Sequence, residues 1–88
     1  MSTKCLYSIR DLVAEEFAPP FVSNNDNTAI RSAIHSVREN QIMMDHISDY
    51  SLFNLGSFDE NTGEIVPNPL FNTPIFMFSE LLNKESKV

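Results

Sequence analysis

The sequence predicts an α+β fold, and three observations predict it. Residues 49–65, DYSLFNLGSFDENTGEI, read as one β-hairpin; residues 28–39 carry the clearest helical period of the chain; residues 4–10 alternate as a half-buried strand does. The expected architecture is a small antiparallel or mixed three-stranded sheet, with strands at about 4–10, 51–58 and 63–67. One main helix lies across a face, and a short C-terminal helix or strand follows. A parallel pairing of the first and second strands through that helix would be right-handed.

In the first strand Cys5, Tyr7 and Ile9 point one way, and Lys4, Leu6, Ser8 and Arg10 the other. Residues 12–24 read as a long connection. Leu12 to Phe17 has the makings of a helical turn, but Pro19-Pro20 stops any helix, because neither ring can donate a hydrogen bond. Phe17 and Phe21 are its apolar anchors, and a connection this long is either a binding loop or a crossover pinned by those two rings.

Asn24-Asn25-Asp26-Asn27 is a cluster of helix N-cap residues. The helix after it places Ala29, Ile30, Ala33, Ile34 and Val37 on one stripe, and the two alanines allow close approach to a sheet. Residues 40–49 form a connector in which Met43 and Met44 fill core gaps or an adaptable interface.

In the hairpin, Asp59-Glu60-Asn61-Thr62-Gly63 is a polar loop with glycine where a positive φ is usually needed, and Gly56 marks a bulge or a close backbone approach. Beyond Pro67 the chain is dense in apolar residues. Thr73 caps and Pro74 opens an expected helix whose face is Ile75, Phe78 and Leu82; an extended Ile75–Phe78 strand is the alternative. Residues 1–82 are expected as one small domain, with 83–88 as a frayed tail.

At 88 residues the core is thin, and a dimer interface over part of the sheet would supplement it. Twelve acids against six bases give a net charge of −6, which opposes general attraction to nucleic acid. A local basic patch of Lys4, Arg10, Arg31 and Arg38, with Tyr7 as a stacking ring, is the alternative to plain solvated charge. Phe53 beside Lys4 would join such a platform if the strands adjoin. A separate partner-binding set is Phe17, Pro20, Phe21, Phe71 and Phe76. One cysteine builds no internal disulfide and fits a reducing compartment. No signal peptide or long apolar run is seen, so no membrane is expected.

Motifs that carry chemistry are lacking. His35 and His46 have no zinc-type spacing to each other or to Cys5. The acidic loop departs from a calcium site, since Gly63 falls at its fifth position and Leu70 at its twelfth. Adjacent acids such as Glu15-Glu16 point apart on a strand and are not poised for acid–base work. No catalytic residue, metal or cofactor is expected.

Taken together, the strand ending in Asp11, Pro20-Phe21, the capped helix with Ala29-Ile30-Arg31 and the run from Asp49 to Ile65 form a pattern. It resembles the small nonstructural proteins of gokushovirus-type microviruses, icosahedral phages with single-stranded DNA genomes. The resemblance covers about residues 4–70 and is most specific at Asp49-Tyr50, Leu52, Gly56, Phe58-Asp59 and Thr62-Gly63. It implies a non-enzymatic protein made in the cytoplasm of the infected bacterium, acting in genome replication or packaging. The acidic balance suits contact with a phage replication or assembly protein or a host factor. Single-stranded DNA binding by a homodimer, and an internal scaffolding role, are the alternatives.

Overall fold

A computed structural model describes residues 3–85. Its centre is a pair of long antiparallel strands, β1 (Thr3–Asp11) and β4 (Tyr50–Asp59). They pair along their whole lengths, with Thr3 opposite Asp59 and Asp11 opposite Tyr50. The sheet has six strands, not the three expected. Two short strands, β2 (Glu16–Phe17) and β3 (Phe21–Ser23), both run antiparallel along the free side of β1. Two more, β5 (Ile65–Pro67) and β6 (Pro74–Met77), do the same along β4.

The extra strands come from segments too short or too proline-rich to read as strands. The 12–24 connection is a hairpin arm folded back onto β1, split by Pro19-Pro20 into two pieces. In place of a helical turn, residues 12–15 form a tight turn. The Asp11 carboxylate accepts from the N–H groups of Val13 and Ala14, each at 3.0 Å, and Glu15 takes a φ of 59°. Because β3 reverses the chain before the helix, β4 returns antiparallel to β1, and the expected parallel pairing of first and second strands does not form.

Helix α1 (Asp26–Arg38) begins at the predicted polar cluster. Asn25 Oδ1 accepts from Thr28 N–H at 2.9 Å, while Thr28 Oγ1 accepts from Asn25 N–H at 3.3 Å, a reciprocal cap. Ala29, Ala33 and Val37 are buried, with Ile30 and Ile34 packed against the same core. The helix lies on the sheet face that carries Tyr7 and Leu52. Helix α2 (Gln41–Asp45) and a 3-10 turn at Ile47–Asp49 follow, and Met43, Met44 and Ile47 extend that core.

The hairpin forms as read. Asp59 accepts from Gly63 N–H at 2.7 Å and donates to the Glu64 carbonyl at 2.9 Å, and Gly63 has a φ of 80°. Gly56 lies under the Val66 carbonyl, where any Cβ would collide with backbone. The predicted helix from Thr73 is corrected: Pro74–Met77 is strand β6, and the C-terminal helix is α3 (Glu80–Glu85). Pairing with the open side of β4 outweighs the local Thr-Pro helix-start signal, and Phe78 and Leu81 then close the core. Residues 83–85 belong to α3, and 86–88 lie outside the described residues.

Candidate functional site

Alternation along β1 sorts the side chains. Cys5, Tyr7 and Ile9 pack into the core beneath the helices. Lys4, Leu6, Ser8 and Arg10 therefore occupy the opposite, outer face. Cross-strand register extends that face: Val22 lies opposite Leu6, Phe53 opposite Ser8, Phe17 opposite Arg10, and Phe58 opposite Lys4. Ile65 follows opposite Phe58, and Met77 opposite Ser51. The described helices all follow the other face, so the outer one is left to short loops.

At one end of this face the side chains converge. The Arg10 guanidinium sits 5.0 Å from the centroid of the Phe17 ring, a cation–π arrangement. Phe17 meets Phe53 edge-on, with centroids 5.5 Å apart and planes at 76°. Arg10, Leu12, Phe17, Phe53, Phe71 and Asn72 line a shallow cleft of about 270 Å³. Phe53 is almost fully buried at its floor, whereas Phe17 and Phe71 are 43% and 53% exposed at its walls. The polar groups nearby are already spoken for: the Ser8 hydroxyl donates to the Ala18 carbonyl at 2.6 Å. Removing that donor from the surface leaves the face more apolar than its sequence suggests.

The residues singled out in the sequence divide between the two faces. Arg10, Phe17 and Phe71 come together at the cleft, although the sequence placed them in two separate sets. Lys4 shares the outer face but lies at its far end, 3.5 Å from Glu60. Arg31 and Arg38 are exposed on α1, across the sheet from Arg10, so the four bases form no single patch. Tyr7 is fully buried on the helix side and donates to the Asp26 carboxylate at 2.7 Å. Burial, then that hydrogen bond, pushes its phenol well above the ordinary value. Phe21 packs beside Tyr7, centroids 5.9 Å apart, and Phe76 packs edge-on to Phe78 at 5.3 Å. Pro20 is exposed where β3 begins.

Leu12, Phe53 and Asn72 complete the cleft. Phe53 had been paired with Lys4; its neighbour is instead Phe17, because β2 folds back beside β1. The legible signal was the shared parity of Arg10 and Phe53 in adjoining strands. The missing one was the two-residue strand that carries Phe17.

A smaller cleft on the helix side, about 170 Å³, is lined by Ile9, Asp11, Glu16, Phe17, Ala18, Met43 and Tyr50. Burial raises the Tyr50 phenol, with the negative charges of Asp11 and Asp49 adding to it. Among the described residues, no group of three or more His, Cys, Asp or Glu side chains is placed to hold a metal ion. No helix among them is long and apolar enough to cross a membrane.

Fold and face together define a small open-sheet α+β protein, with the described helices on one side of its sheet and loops over the other. The chain belongs to the Phage ORF5 protein family, which it matches over residues 4–81. It is thus a phage protein. No curated protein and no solved structure matches it.

Proposed function

We propose that this chain is a non-enzymatic accessory protein of a single-stranded DNA phage of the gokushovirus type. It acts during genome replication or packaging in the cytoplasm of the infected bacterium, through contacts with other proteins. The single observation that carries this reading is the apolar cleft on the outer face, where Phe17 and Phe71 stand half-exposed around Arg10. Apolar area of that kind on a small protein marks a contact surface. A net charge of −6 suits a partner complex that includes a basic protein, such as a replication initiator.

The test is affinity capture of the tagged full-length chain from infected cells, in wild-type and Phe71→Glu forms. The wild type should retain a phage replication or assembly protein or a host replication factor, and the variant should lose it. Wild-type capture that yields neither class would overturn the reading.

A second reading has its own observation. Arg10 stacked on Phe17 beside an exposed Phe71 is a surface on which a nucleobase could stack. The distance of Arg31 and Arg38 from it, on the other layer, weighs against a continuous phosphate track. Fluorescence anisotropy of a labelled single-stranded oligonucleotide at low and moderate salt separates the readings, because binding through phosphates is saturable and weakens with salt.

A further inference from the structure

We infer that the outer-face cleft receives the C-terminus of a partner chain: a terminal aromatic side chain enters between Phe17 and Phe71, and its free carboxylate meets Arg10. This rests on the proposed role of the cleft as a protein-contact surface and names the chemistry it takes.

The cleft has walls of two kinds. Leu12, Phe17, Phe53 and Phe71 are apolar, and Arg10 and Asn72 are the polar groups among them. An apolar lining with a few convergent polar groups is the composition of a binding site. Phe53 at the floor is 5% exposed, so contact is made at the walls and the mouth. The volume of about 270 Å³ lies below the roughly 300–1,000 Å³ of a site for a drug-sized ligand, and suits one large side chain. Phenylalanine rings on floor and walls favour an aromatic one.

Charge selects the rest of the ligand. The Arg10 guanidinium lies 5.0 Å from the Phe17 ring centroid, a contact that uses none of its N–H donors. Among the described residues that guanidinium has no ion pair and no hydrogen bond, whereas Lys4, at the far end of the face, is held by Glu60. The acids closest to Arg10 in sequence are turned away from it. Asp11 and Glu16 sit opposite each other on β1 and β2 and line the smaller cleft on the helix side. A guanidinium beside apolar rings, with its donors unclaimed, is complementary to a carboxylate, which accepts from it in bidentate fashion.

Net charge decides where that carboxylate comes from. At −6 the chain repels an acidic stretch of a partner and attracts a basic protein. A basic protein still ends in a carboxylate. At a C-terminus that carboxylate and the last side chain leave the same Cα, close enough for one small cleft to hold both.

Heteronuclear NMR titration of the full chain tests this. The probe is the peptide Gly-Ser-Gly-Ser-Phe with a free C-terminus, set against the same peptide ending in an amide. The free form should shift the backbone amides of Arg10, Phe17, Phe71 and Asn72, and the amide form should bind about tenfold or more weakly. Arg10→Gln should bring the two forms level with circular dichroism unchanged. Ile42→Glu, 70% exposed on α2, should leave the preference intact. Should Arg10→Gln fail to fold, the preference and the position of the shifts on the wild type carry the test alone. Equal binding of the two forms overturns the inference, as does no binding at millimolar peptide, or shifts that gather elsewhere on the molecule. An amidated peptide with Phe and an internal Asp that binds as tightly as the free-ended one also overturns it. A cleft without the preference, whose Phe71→Glu form still loses its partner in the capture experiment, would sink this inference and spare the proposed function. A clear preference in a chain that captures neither a phage nor a host replication protein would do the reverse.

Discussion

Gly56 carries the tightest single constraint on the sheet. With a φ of 156° it lies against the Val66 and Pro67 backbone, and a methyl group there would collide with the Val66 carbonyl. Backbone cannot step aside as a side chain can. Gly56→Ala should cost about 2 kcal/mol or more, read as a lower urea midpoint with an unchanged slope. Tyr7 makes a different kind of prediction. Its phenol is raised above the ordinary 10.0 by burial first and by Asp26 second. The folded state therefore favours the neutral form, and the unfolded chain releases its proton first. Stability is level below about pH 10 and falls above it, by up to about 1.4 kcal/mol per pH unit. Tyr7→Phe should remove much of that alkaline slope and cost about 1 kcal/mol near neutrality, because Asp26 keeps its bond from Asn54 at 3.2 Å. Chemical denaturation at a series of pH values reads both effects. A variant whose alkaline slope matches the wild type would contradict the assignment to Tyr7.

At the scale of elements, what was legible in the sequence had a repeating physical cause. The apolar stripe of α1, the polar cap before it and the alternation of β1 each recur over several residues, so no single position decides them. Asn25→Ala should remove the cap bond to Thr28 and cost about 1 kcal/mol, visible in thermal unfolding. What stayed hidden has a cause of the opposite kind. β2 has two residues and β3 three, too few for any period to register. They exist because β1 offers a free side for hydrogen bonding. The segment after Thr73 carries a sound local helix start, yet β4 has an unpaired side there and takes Pro74–Met77 as a strand. Phe78 and Leu81, just beyond, become core. Phe78→Ala should cost about 3–5 kcal/mol by emptying a fully buried site. The cleft followed the same rule: Arg10 and Phe71 were visible as candidates, but Phe17 reaches them only through a strand that sequence could not resolve.

The whole molecule is asymmetric about its sheet. One face is filled by α1, α2 and the turn at Ile47–Asp49, with Tyr7, Leu52 and Phe78 at its centre. Among the described residues the other has no helix, yet it holds the Phe17–Phe53 pair and half-exposed Val22, Ile65, Phe71 and Met77. A small chain gains little by holding such a surface in water, and prolines along both edges discourage the other common route to assembly. The central claim is that this face, and not the helical side, is where the phage protein meets other proteins. Site-specific photo-crosslinking in infected cells tests it most directly, with a benzoylphenylalanine placed at position 71 on the outer face or at position 42 on α2. The account predicts covalent protein adducts from position 71, to a second copy or to a phage or host protein, and few from position 42. Adducts from position 42 with none from position 71 would contradict it.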